Sequence, residues 1–219
     1  MAARELPTFE NAFGRLRQFA RRTTRNAEHC ELCSVELAPD HSHLIEVATR
    51  RLTCACQACA LLFCGQAGTK FKRVPRRVRS LADLHLSDAD WDSLMIPINM
   101  AFFFKSSLEG RVIAMYPSPA GATESLLPLE AWSTIAQDNP ALDHMEPDVE
   151  ALLINRIGHS RGVCAPEYYL VPIDECYKLV GIIRNGWHGF SGGTEVWREI
   201  GAFFAELKGK AGVGGSFDA

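Results

Sequence analysis

The feature that most constrains this chain is a crowd of cysteines: six of its eight fall between Cys30 and Cys64. Four of them make two short pairs, Cys30-x-x-Cys33 and Cys56-x-x-Cys59, with 22 residues between the pairs. Two residues between thiolates let the backbone turn so that both sulfurs face one ion, and two such knuckles joined by a hairpin close a tetrahedron. The spacing predicts a four-thiolate metal site made by Cys30, Cys33, Cys56 and Cys59. Four protein sulfurs leave no position for water or substrate, so the site is expected to be structural. Its binding energy then folds a segment too short to hold a core of its own. Zinc is the metal this pattern favours. Iron is the alternative, in a rubredoxin-like electron carrier, because tetrahedral sulfur suits both metals. Cys54 and Cys64 stand as rival ligands beside the pairs, although the spacing matches neither common ferredoxin run.

The same crowding argues for a reducing compartment. Residues 1–25 are arginine-rich and lack the apolar block of a signal peptide, so the cytoplasm is the expected location. Cys164 and Cys176 stand apart and are expected to be small buried hydrophobes. With 47% hydrophobic residues in 219, the chain has material for one ordinary core plus a small appendage. A net charge of -3 provides no global attraction to nucleic acid or to an anionic membrane. The longest apolar runs, 96–104 and 168–173, fall short of the roughly 18 residues a spanning helix needs, so no membrane span is expected.

Hydrophobic spacing divides the chain into an amphipathic helix in 1–25, a four-cysteine metal-binding module in 26–68, an α+β domain in 69–210 and a flexible tail in 211–219. The fold class is α+β: a small zinc-ribbon-like knuckle module, then an α+β domain ending in two helices. Within the module, Leu44, Ile45 and Val47 favour a strand or hairpin. Residues 71–78 alternate apolar with basic side chains and contain Pro75, the mark of an edge strand or extended linker. Ser87, Asp88 and Asp90 cap a short helix through Trp91 and Leu94. Strands are expected over 96–104, 111–116, 149–157 and 168–171. Helices are expected over 129–137, 174–184 and 194–208, with a frayed glycine-rich tail from 209.

Three other constellations have bland readings. Lys70, Lys72, Arg73, Arg76, Arg77 and Arg79 put six positive charges into ten residues after a metal module, as nucleic-acid binders do. Only Phe71 interleaves them, so a solvated edge or a surface for an acidic protein is expected, and nucleic acid is not expected as a partner. His41 and His43 invite comparison with a His-Asn-His nuclease strand. Yet His41 lies fifteen residues before Cys56, no suitable asparagine intervenes and no histidine follows Cys59 at the required place, so they are read as polar residues entering a strand. Ser160, His159 and Asp174 as a triad, Arg156 with Arg161 as a phosphate clamp, and Gly192-Gly193 as an anion-receiving helix start are not demanded by their spacing. No catalytic set converges, so the chain reads as non-enzymatic.

Three stretches are familiar together: HCELC with CACQACALLFCG, VPIDECYKLVGIIRNGWHGFSGG, and TEVWREIGAFFAEL. They resemble an uncharacterised bacterial family of about this length that is associated with gene clusters for uptake nickel-iron hydrogenases. The resemblance implies a setting rather than a reaction: a zinc-binding accessory or assembly protein whose partner is a hydrogenase subunit or maturation factor. Cys30, Cys33, Cys56 and Cys59 carry over as metal ligands. Hydrogenase systems include rubredoxin-like partners, but rubredoxin knuckles carry glycine after the second cysteine, where this chain has Ser34 and Ala60. Fewer close amide contacts to sulfur favour zinc.

Overall fold

The computed structural model describes residues 27–64, 69–125, 130–159, 162–189 and 191–214. The expected N-terminal helix lies outside the described residues. The rest is α+β, with two antiparallel sheets of unequal size.

The small sheet is a hairpin with one added strand. β1 (Ser42–Glu46) pairs with β2 (Arg51–Ala55) on one side and with β3 (Phe71–Arg73) on the other. Between β2 and β3 runs the short helix α1 (Gln57–Cys64). Pro75, which has no amide to donate, lies just past β3 on the sheet's outer edge, where no ladder bond is lost.

The large sheet has the order β4-β9-β8-β5-β6-β7, from β4 (Arg79–Ser80), β5 (Met100–Ser106), β6 (Arg111–Ser118), β7 (Gly121–Glu124), β8 (Glu150–Asn155) and β9 (Glu167–Pro172). Its middle strands read as continuous apolar runs because both faces are covered. One cross-strand row, Met115, Phe102, Leu153 and Tyr169, faces one core; the adjacent row, Ala114, Phe103, Leu152 and Leu170, faces the other. The first core is closed by α4 (Ile173–Gly186) and α5 (Gly193–Gly214), through Cys176, Leu179, Ile183, Ile200 and Phe203. The second is closed by α2 (Asp88–Ser93), α3 (Glu130–Asp138) and a 3-10 turn (Pro140–His144), with Trp132 stacked on Phe103 at 5.1 Å between ring centroids.

Local chemistry accounts for several boundaries. Ser87 caps α2 through a capping box: its side chain accepts from the Asp90 amide, and Asp90 accepts from the Ser87 amide in return. The β5 strand begins at Met100 rather than at 96, because Pro97 interrupts the ladder and Ile98 stays exposed. The α5 helix continues to Gly214 where a frayed tail is expected from 209. Ala211 packs on the first core, and Lys210 pairs with Glu206 at 2.9 Å and with Glu175 across on α4, which outweighs the poor helix propensity of glycine.

The small sheet sits against the large one. Leu44 closes a minor core with Cys30, Ala55, Cys59 and Ala60, whereas its neighbour Ile45 points the other way into the first large core beside Val74 and Val78. Among the described residues no helix is long and apolar enough to cross a membrane.

Candidate metal centre

Each cysteine pair is shaped by a different local structure. The first is a tight turn: the Cys30 amide donates to the Val35 carbonyl at 2.8 Å and the Ser34 amide to the Cys30 carbonyl at 2.7 Å. A bridge between His29 and Glu36 closes it. Ser34 adopts a left-handed φ of 62°, the geometry that turns the chain back so that Cys30 and Cys33 face the same way. The second pair is the opening of a helix. Cys56 follows β2, the Cys59 amide donates to Cys56 Sγ at 3.4 Å, and the Ala60 amide donates to the Cys56 carbonyl at 2.9 Å. The Cys59 amide, in the first turn of α1, is thus turned toward the Cys56 sulfur.

Glu31 binds the two knuckles together. Its carboxylate accepts from the Cys54 amide at 2.8 Å and from Arg51 at 2.6 Å, while its own amide donates to the Cys54 carbonyl at 2.9 Å. Those hydrogen bonds hold its pKa below the usual carboxylate value, the Cys54 amide contributing most.

All four sulfurs, of Cys30, Cys33, Cys56 and Cys59, lie within 4.8 Å of one another. Cys33 Sγ and Cys56 Sγ are 3.7 Å apart. A tetrahedron with metal–sulfur bonds of about 2.3 Å has sulfur–sulfur edges of about 3.8 Å, so this separation fits a shared tetrahedral ion. Cys30 and Cys59 are buried, Cys56 is half-buried and Cys33 is exposed, which places the set at the rim of the minor core. Burial pushes the Cys30 thiol up, but amides of Cys56, Leu32 and Cys33 outweigh it and bring the pKa down to about 6. Cys59 is pushed up to about 12, by burial first and then by the neighbouring thiols. A metal ion bound here would take all four as thiolates. All eight cysteines of the chain are free thiols.

Cys54 and Cys64 are not part of this four-sulfur set. Cys54 is turned toward His41 and His43, an association missed by reading each histidine singly. Cys64 is half-buried against the minor core at the end of α1. Cys176 is fully buried in the first core, as expected, but Cys164 is exposed, which corrects the expectation of burial. Its loop turns at Gly158 and Gly162, both with positive φ, and carries Val163 and Cys164 to the surface.

Four of the six cations of the basic run pair with carboxylates of this chain. Lys70 pairs with Glu46 at 2.8 Å, Lys72 with Asp148 at 2.6 Å, Arg76 with Asp40 at 3.5 Å and Arg77 with Glu150 at 3.0 Å. Asp148 and Glu150 are buried acids of the large sheet's end, so Lys72 and Arg77 fasten the small sheet to it. The imagined triad is dispersed: His159 faces Asp88 at 3.2 Å, Asp174 faces His43 at 2.6 Å, and Ser160 lies outside the described residues. Arg156 is buried, pairs with Asp88 and lies over the Trp91 ring; Arg161 lies outside the described residues. Gly192 has a packing reason: a Cβ there would meet Trp187 and Val196 at 2.9 Å.

No curated protein and no solved structure matches this chain. A family model does, over residues 29–211, a span that includes both cysteine pairs and the whole large sheet. The chain belongs to DUF5947, a family of unknown function.

Proposed function

We propose that the chain is a zinc-binding accessory protein that performs no catalysis itself and works through protein contacts in the maturation or assembly of a nickel-iron hydrogenase. The observation that carries the metal reading is the four-sulfur set, with its 3.7 Å Cys33–Cys56 edge; four sulfur ligands would leave no position for water or substrate. Zinc is proposed over iron on the sequence, where Ser34 and Ala60 replace the rubredoxin glycines; amides of Cys56, Leu32 and Cys33 nonetheless reach the Cys30 sulfur. The protein-contact reading draws on apolar side chains beside the centre. Leu61, Leu62 and Phe63 are consecutive and 61%, 71% and 40% exposed, and Val35 on the other knuckle is 49% exposed. A cluster of that kind is costly to leave in water and marks interaction surfaces. The hydrogenase setting is supported by the resemblance of the knuckles and the two closing helices.

Co-expression with the large and small subunits of a nickel-iron hydrogenase tests it. The chain is expected to co-elute with one of them, and a Leu61→Ser, Leu62→Ser double variant to lose co-elution while keeping its zinc. A host lacking the chain that still assembles hydrogenase with its full nickel content would refute the setting.

A further inference from the structure

The β1–β2 hairpin builds a second constellation on the side facing away from the four-sulfur set. Its register places Cys54 directly opposite His43, and His41 lies two residues before His43 along the same extended segment, hence on the same face. A ring nitrogen of each histidine and Cys54 Sγ fall within 4.8 Å of one another. The two imidazoles stand perpendicular, with centroids 4.8 Å apart, an arrangement in which their in-plane lone pairs can meet at one point.

The hydrogen bonds of each ring decide which nitrogen is free. His41 Nδ1 lies 3.0 Å from the Ala38 carbonyl, an acceptor, so Nδ1 carries the proton and Nε2 the lone pair. The His41 side chain is 6% exposed, and Nε2 is buried with no hydrogen-bond partner. A buried polar atom without a partner is costly, so a native structure that keeps one calls for a ligand there. His43 Nδ1 is 2.6 Å from Asp174 Oδ2, and the other oxygen of Asp174 accepts from the Glu175 amide at 2.9 Å. A carboxylate fixed in that way, receiving one ring N–H and leaving Nε2 bare, is the usual support of a metal-binding histidine.

We propose that His41, His43 and Cys54 form a second metal site, separate from the four-sulfur centre, that takes a divalent transition-metal ion of the zinc type and keeps one coordination position open. Two imidazoles and one thiolate are a borderline donor set, suited to zinc or cobalt(II) and unsuited to magnesium or calcium. Three protein ligands leave a fourth tetrahedral position for water or an incoming ligand. A solvent-connected cleft of about 550 Å³, lined by His41, His43 and Asp174 but not by Cys54, borders the site. Asp174 is a positioning residue: it acts through His43 and both its oxygens are engaged elsewhere.

The test is zinc titration of the demetallated full chain by calorimetry, with elemental analysis and circular dichroism on the same samples. The parent is expected to take up a second equivalent beyond the four-sulfur one. Cys54→Ser and His41→Gln are expected to lose that equivalent alone, and Asp174→Asn to weaken it by about 10–100-fold. Cys54→Ser and His41→Gln are expected to keep the four-sulfur equivalent, which separates failure of this site from failure of the four-sulfur centre. A parent that takes up a single equivalent, or Cys54→Ser and His41→Gln variants that both retain the second, would overturn the proposal.

Discussion

Cys33 Sγ and Cys56 Sγ, 23 positions apart in the chain, stand 3.7 Å from each other. A turn supplies one and a helix start the other, so the approach depends on Glu31 holding the first knuckle to the backbone of β2. The centre is thus joined to the hairpin, which packs on the large sheet's core through Ile45, while Lys72 of β3 and Arg77 just beyond it pair with Asp148 and Glu150.

The joint at Lys72 is pH-dependent. Burial pushes the Asp148 carboxyl up, but the Lys72 ammonium and hydrogen bonds from Ser107 outweigh it and leave the pKa below the ordinary value. A carboxyl lowered on folding contributes its stability above its unfolded pKa of about 4 and loses it as the pH falls through the folded value. Denaturant midpoints are therefore expected to decline below about pH 4, and to decline less steeply for Asp148→Asn than for the parent. Parallel profiles for the two proteins would remove Asp148 from the account.

Two glycines are expected to respond in opposite directions. Gly192, at φ +82° and 2.9 Å from side chains of Trp187 and Val196, has no room for a methyl group. Gly192→Ala is expected to cost about 1–3 kcal/mol in chemical denaturation. Gly201 lies inside α5 with nothing within 4 Å of its would-be Cβ, and Gly201→Ala is expected to gain about 0.5–1 kcal/mol. Equal effects would show that the loop before α5 can repack.

Replacing Lys72, Arg73, Arg76 and Arg77 together by alanine distinguishes internal pairing from nucleic-acid binding. Because Asp148 and Glu150 are buried and lose their cations, stability is expected to fall by at least about 1–3 kcal/mol. Binding to duplex and single-stranded DNA is expected to match the parent's. A salt-dependent affinity present in the parent and lost in the variant would instead assign the run to phosphate contacts.

The parts of this molecule legible in sequence are those whose cause is local. The cysteine pairs, the Ser87 capping box and the apolar runs of β5, β8 and β9 each declare themselves within a few residues. What was not legible depends on pairing. The β4 strand is two residues long and β7 reads Gly-Ala-Thr-Glu, so neither has a periodicity of its own; each is a strand because a longer neighbour offers it a ladder. His41 and His43 look like polar residues at the entry to a strand until the hairpin register sets Cys54 opposite His43 and α4 brings up Asp174. Cys164 resembles any free cysteine, and only the course of its loop exposes it. Helix over 209–214 follows from contacts with α4 that glycine content conceals.

The four-sulfur centre is tested most directly by elemental analysis and visible absorption of the parent, Cys33→Ser, Cys56→Ser and Cys164→Ser proteins, all purified without added metal. The account predicts a colourless parent containing zinc, one zinc fewer in each of Cys33→Ser and Cys56→Ser, and no change in Cys164→Ser. Equal metal content in all four proteins would contradict the ligand assignment, and iron with thiolate absorption in the parent would contradict zinc.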